Sequence, residues 1–320
     1  MAIGIYKPFK EIMFVDDTLD NAAWSYEIVH IAQIYAERGH NVVILSPNDL
    51  SKDPEPWAKK GIYDGQEMLF NDNVMTELDR VMIWCGSFEL DKYQDEIITY
   101  LKSYAKRLDF FLTDKKLVPT DTNLLGLFDN IYVQGTLPVY KNDDKFGSLG
   151  ELLPYKFEWD RTIEESIKLK ETEFYFGGTE RDRLDDFIEY VWRPGHLITT
   201  KTAFFNFENR IPRDEFMSTL DKAKYSVVIT DVENNKLHFI SPRPYELYMH
   251  DIIAFFDYKY DVDNHFDKHP MTIVNSYKDM RQKMNEINAN ENLYKEILQH
   301  QRKQITKDIT NGKYVYEMTR

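Results

Sequence analysis

Short apolar runs of strand length alternate with longer amphipathic segments along most of this chain, and no other feature limits its possible folds as much. EIMFV (11–15) reads as a strand, WSYEIVHIAQIYAERG (24–39) as a helix closed by Gly39, and NVVILSP (41–47) as the next strand. RVMIWCG (80–86), the helical DEIITYLKSYAKRL (95–108) and DFFLTD (109–114) repeat the pattern, and NIYVQG (130–135) adds a strand. Strands separated by helix-length segments predict a parallel sheet with helices on both faces, an α/β fold. Around 156–170 the pattern turns charged and helical without a sheet partner, in KFEWDRTIEESIKLK, which places a domain junction there. The alternation then restarts. TEFYFGG (172–178), HLITT (196–200), YSVVITD (225–231) and IIAFFDY (252–258) read as strands; DRLDDFIEYVW (182–192), DEFMSTLDKA (214–223) and PYELYMHD (244–251) read as helices. SYKDMRQKMNEI (276–287) and NLYKEILQHQRKQITKDI (292–309) are helical and polar on one side.

Two doubly wound units in series predict domains at 1–160 and 161–290, with a C-terminal helix and tail at 291–320 and a cleft between the two units. In open parallel sheets ligands sit beyond the carboxyl ends of the strands, so chemistry is sought in the loops that follow them. The composition supports this division. At 320 residues, 42% hydrophobic and 14% aromatic, the chain can build two cores and is not a disordered sequence. No apolar run approaches the roughly 18 residues of a membrane span. The opening MAIGIYKPFKEIMFVDD carries charge where a signal peptide has its apolar centre, which points to the cytoplasm and away from a membrane partner. The lone Cys85 excludes an internal disulfide framework and reads as a buried strand residue. A formal charge of −14 does not suit a protein that coats nucleic acid nonspecifically, but it leaves room for a local basic groove.

Three constellations stand at strand ends. FYFGGTERDR (174–183) places Gly177 and Gly178 where an apolar run stops, lets the backbone approach a ligand, and adds Arg181 and Arg183, whose guanidiniums suit a diphosphate. The plainer reading is a tight turn with two solvated arginines. SPRPYELYMHD (241–251) sets Arg243 and Glu246 three apart on one helix face, fitted to a nucleotide's phosphate and ribose hydroxyls, or else to a simple ion pair. DFFLTDKK (109–116) ends a strand with Asp114, a carboxylate placed to take a proton from an attacking hydroxyl, or else a capping residue. DVDNHFDKHP (261–270), with His265 and His269, lacks the spacing of a zinc or calcium loop and reads as a solvated loop.

In this order the segments resemble the DNA β-glucosyltransferase family of T-even phages. The likeness runs through EIVHIAQIYAERGHNVVILS, FFLTDKKL, FYFGGTERDR, NRIP, SPRPYELYMHDIIAFFD and TIVNSYKDMRQKMNEI, most of the chain. The resemblance implies a GT-B fold, two Rossmann-like domains facing a central cleft with C-terminal helices. It also implies inverting transfer of a sugar from a UDP-sugar to the hydroxymethyl group of 5-hydroxymethylcytosine in phage duplex DNA. Glucose is the sugar it favours, and a pentose is the near variant. Asp114 then serves as general base and Glu27 faces the donor. Gly177, Gly178, Thr179, Arg181, Arg183 and Arg243 hold the diphosphate, Glu246 takes the ribose, and Ile211 after Arg210 offers its backbone to uracil. Lys106, Lys115 and Lys116 are the basic residues available to DNA, and an aromatic side chain is available to wedge into a base stack if the acceptor base flips out. The resemblance further implies a divalent cation, Mg or Mn, without a dedicated protein cage, a monomer, and the cytoplasm of an infected bacterial host. The chain departs from the family at VDDTLDNAA (15–23), where Asp16 and Asp17 stand for small residues, and in the closer spacing of Arg181 and Arg183. A GT-B transferase with a non-DNA acceptor and a nucleotide-sugar-binding module without transfer remain the alternatives.

Overall fold

The computed structural model describes residues 11–14, 34–35, 37–38, 40, 42–45, 60–63, 66–69, 78–85, 102, 105–112, 126–133, 146–148, 159–178, 183–191, 203–204, 213–230, 243–260, 267–305 and 316–317. The chain forms two compact units, Met1–Lys156 with Asn311–Arg320, and Phe157–Thr310.

The first unit is built on a sheet of strands β1 (Glu11–Phe14), β2 (Val42–Leu45), β3 (Lys60–Tyr63), β4 (Gln66–Leu69), β5 (Leu78–Cys85), β6 (Ala105–Leu112), β7 (Asn130–Val133) and β8 (Phe146–Ser148). Their order is β4-β3-β2-β1-β5-β6-β7-β8. β1 lies parallel to both β2 and β5, and β5 through β8 run parallel in succession. The chain therefore winds outward in both directions from the β1/β5 boundary, the place where such sheets take ligands. β3 and β4 are antiparallel, with Tyr63 opposite Gln66. The sequence Asp-Gly between two strand-length runs is a strong short-range hairpin signal, which the alternation-based reading passed over.

β6 begins at Ala105, inside the segment expected to be helical through Leu108. The reason is a buried polar cluster that disguises the strand. Asp109, fully buried, accepts from Arg80 Nε at 2.7 Å, from Arg107 Nε at 2.8 Å and from Asn130 Nδ2 at 2.8 Å. Arg80 also donates to the Tyr35 hydroxyl at 2.8 Å, and Arg107 to the Tyr132 hydroxyl at 2.6 Å. Charges that look like a solvated helix face are in fact paired across three strands, which is the condition for burying them. Near the chain's end, Tyr316 sits against the first unit. Its hydroxyl is 2.7 Å from His40 Nε2, and the Arg38 guanidinium stands 4.7 Å from its ring centre.

The second unit carries strands β9 (Thr172–Phe174), β10 (Gly177–Gly178), β11 (Ala203–Phe204), β12 (Ala223–Val228), β13 (Ile253–Asp257) and β14 (Ile273–Val274). β9, β12, β13 and β14 are adjacent and parallel, and β10 pairs in parallel with β11. β9 and β10 follow one another along one stretch, and Tyr175 N continues the ladder to Tyr225 O at 3.0 Å. The effective order is thus β11, β9/β10, β12, β13, β14, with the reversal at the β9/β10 to β12 boundary. β13 is buried at every position, as a central parallel strand must be. The described helices are α1 (Ile163–Lys168), α2 (Leu184–Tyr190), α3 (Arg213–Lys222), α4 (Arg243–Met249), α5 (Tyr277–Asn288) and α6 (Glu291–Gln304).

One face of this sheet presents Phe174, Phe176, Tyr225, Val227, Ile253 and Phe255 to a core completed by α2, α5 and α6. Thr162 and Glu165 cap α1 reciprocally, Ser276 caps α5 and Asn290 caps α6. The α/β fold is the one the alternation predicts. The strand expected at 196–200 falls outside the described residues, as do His265 and the strand-end side chain of Cys85. His269 is not simply solvated: its ring accepts from Met271 N at 3.2 Å and caps the short 3-10 turn Pro270–Thr272. Among the described residues, no helix is long and apolar enough to cross a membrane.

Candidate functional site

The carboxyl end of the β9/β10 stretch is where topology directs attention, and the side chains there converge. Side chains alternate across a strand, so Tyr175 points away from the face that carries Phe174 and Phe176. On its own face Tyr175 meets Phe216 of α3, with ring centres 6.3 Å apart. The Arg243 guanidinium, at the start of α4, stands 5.5 Å from the centre of the same Phe216 ring. Arg243 Nη1 lies 3.1 Å from Glu246 Oε2, and that carboxylate is only 5% exposed. The expected i, i+3 placement on one helix face is therefore realised as a direct contact, which offsets the cost of burying Glu246.

Arg183 reaches the same strand end from the opposite face. Its Nη1 donates to Ile229 O, just past β12, at 2.7 Å, and its guanidinium stands 5.8 Å from the Phe176 ring centre. Two fixed positive charges thus flank the end of one strand, each steadied by an aromatic ring. α2 adds little to them: it is one of the shorter helices, and Asp185 and Asp186 in its first turn already oppose the positive end of its dipole.

Gly177 and Gly178 do not form the tight turn that the plainer reading offered; they extend the strand and pair with Ala203 and Phe204. Gly177 has a packing reason to lack a side chain. A Cβ there would lie 2.6 Å from Phe216 Cε2 and 3.2 Å from the Tyr175 ring and hydroxyl. Tyr175 and Phe216 were missed by sequence reading, because an aromatic residue within an apolar strand or on an amphipathic helix reads as ordinary core. The one available signal was that Tyr175 falls out of phase with the buried Phe174 and Phe176.

Of the residues singled out in the sequence, the structure brings Gly177, Gly178, Arg183, Arg243 and Glu246 to this one edge. Glu27, Asp114, Lys115, Lys116, Thr179, Arg181, Arg210 and Ile211 lie outside the described residues. Lys106 is described and stands elsewhere. It is the second residue of β6, paired with Asp79 at 2.7 Å, and about 20 Å of strand separates it from Leu112 at the carboxyl end. Lys106 therefore does not accompany the strand end that precedes Asp114. Among the described residues no group of three or more His, Cys, Asp or Glu side chains is arranged to hold a metal ion. The one buried carboxylate at the edge, Glu246, is engaged with Arg243.

No family model and no curated protein sequence matches this chain. Solved structures do. The β-glucosyltransferase of phage T4 is similar with a TM-score of 0.62 at 18% identity, over 96% of this chain and 97% of that one. A sucrose-phosphate synthase from Thermosynechococcus elongatus is similar with a TM-score of 0.60 at 8% identity, over 97% of each chain. A glycosyltransferase from Rickettsia africae follows with 0.55 at 10% identity, over 98% of each. Identities this low speak to fold, and the fold is that of the GT-B glycosyltransferases.

Proposed function

We propose that this chain is an inverting glycosyltransferase that moves a sugar, glucose first among candidates, from a UDP-sugar to the hydroxymethyl group of 5-hydroxymethylcytosine in phage duplex DNA. The observation that carries the reading is the gathering of Arg183, Arg243, Glu246 and Gly177 at the topological switch point of the second unit. A nucleoside diphosphate matches that set. Its phosphates need fixed cations and close backbone approach, and its ribose diol needs a carboxylate acceptor. Support for the sugar donor and the acceptor comes from T4 β-glucosyltransferase. It has been solved as a DNA-modifying enzyme with and without uridine diphosphoglucose, and again with UDP and Mn2+.

The chemistry asks little of the protein beyond placement. Asp114 removes the proton from the acceptor hydroxyl as its oxygen attacks the anomeric carbon, and the bond to UDP breaks on the far side, inverting the configuration. Arg243 and Arg183, with Arg181 and Thr179, stabilise the charge that collects on the departing diphosphate. Glu27 faces the donor sugar, and Ile211 with Arg210 meets the uracil. Lys115 and Lys116 are the basic residues assigned to DNA. A divalent cation would travel with the diphosphate, and no step here depends on it.

The test is transfer from a panel of labelled UDP-sugars to duplexes containing 5-hydroxymethylcytosine, 5-hydroxymethyluracil or cytosine, with wild-type protein and Asp114→Asn. Label only on the hydroxymethylcytosine duplex, lost by roughly 10²–10⁴-fold in Asp114→Asn with UDP binding intact, is the expected result. UDP binding without label on any duplex would point instead to a GT-B transferase with another acceptor, or to a binding module.

A further inference from the structure

We infer that Tyr175 is a further nucleotide-binding residue, and that its hydroxyl donates a hydrogen bond to a phosphate oxygen of the bound nucleoside diphosphate. This rests on the proposed UDP-sugar site and adds a contact that the site's charged residues do not supply. Tyr175 is 1% exposed, and its hydroxyl is buried with no hydrogen-bond partner among the described residues. A buried phenol hydroxyl left unsatisfied costs about 1–3 kcal/mol, so a position that keeps one points to a partner that arrives later.

Geometry indicates which partner. The Tyr175 side chain leans along its strand toward the carboxyl end, and its hydroxyl lies 3.2 Å from where a Gly177 Cβ would stand. It therefore lies beside Phe216 over the Gly177 backbone, at the carboxyl end of the strand, the end where such sheets take ligands. Phe216 is shared between Tyr175 and Arg243, which brings the phenol under the influence of that guanidinium's charge. Burial pushes the phenol up to about 12, further than Arg243 draws it down, so it keeps its proton and acts as a donor at any physiological pH. A neutral donor beside a cation, at a strand end without a side chain, suits a phosphate oxygen better than it suits a base or a sugar carbon.

Tyr175→Phe removes the hydroxyl and keeps the ring. UDP and uridine are titrated calorimetrically into full-length wild-type protein and into the variant, and the unliganded melting temperature of each is recorded. Wild type binds UDP, and the variant binds it about tenfold more weakly, one hydrogen bond to a charged group being of that order. Uridine, which lacks phosphates, binds both proteins alike, and the unliganded variant melts at the same temperature or higher, since its buried unsatisfied group is gone. Equal UDP affinity in the two proteins overturns the inference alone, as does an equal loss on UDP and uridine, which marks a purely structural role. A wild type that binds no UDP overturns the proposed site and this contact with it. If Tyr175→Phe does not fold, Tyr175→Met is titrated in its place against the same two ligands and under the same criteria.

Discussion

The ammonium of Lys170 is held between two backbone carbonyls, His250 O at 2.6 Å and Asp221 O at 3.1 Å, at the amino-terminal edge of the second sheet, away from the candidate site. Burial lowers its pKa from the ordinary 10.5 to about 8, outweighing the favourable charges of Asp251 and Asp221. Between pH 8 and 10.5 the unfolded chain holds a proton on Lys170 that the folded one has released, so the contribution of this group to stability rises with pH across that window, by up to about 3 kcal/mol. Above about pH 10 an opposite contribution sets in, because burial raises the phenols of Tyr175, Tyr225 and Tyr294, and the folded chain keeps protons that the unfolded one sheds. Urea unfolding of wild type and Lys170→Met at pH 7, 8, 9 and 10 checks this. The wild-type stability should climb relative to the variant over that range, and parallel profiles would refute the assignment.

At the scale of elements, β10 shows how a strand end can be both packed and open. Gly177 allows Phe216 of α3 to press against the strand, and Phe216 in turn supports Arg243. Gly177→Ala should cost about 1–3 kcal/mol, because a 2.6 Å approach forces the ring to move, and UDP binding should weaken as Arg243 loses its platform. Urea midpoints and UDP titration on that one variant report both effects. The elements also show what sequence could and could not reveal. β13 was legible because a central parallel strand is close to continuously apolar, β12 because Val227 and Val228 begin a β-branched run, and α5 and α6 because each has a capping residue and an amphipathic repeat. β6 was misread at its start because the half-buried Arg107 and the buried Asp109 are charged residues paired within the sheet, and pairing is invisible along the chain. Arg243 and Glu246 were found from an i, i+3 spacing that a helix converts directly into contact. Tyr175 and Phe216 meet only through tertiary packing, so no local pattern marks them.

For the molecule as a whole, the net charge of −14 is compatible with an anionic ligand because electrostatics at a site depends on where the cations stand and not on their sum. In the second unit Arg183 and Arg243 approach one strand end from its two faces, each against an aromatic ring, while Asp221, Asp251, Arg161 and Arg302 pair among themselves at the other edge of the sheet. That division sets paired charges at one edge of the sheet apart from the two arginines at the other. If the β9/β10 to β12 boundary holds a uridine nucleotide, as proposed, a crystal structure of the full chain grown with UDP will have density at that edge, with the ribose hydroxyls on Glu246 and the diphosphate beside Arg243 and Arg183, against the Gly177–Gly178 backbone. UDP bound at any other place on the protein, with this edge empty, would contradict it.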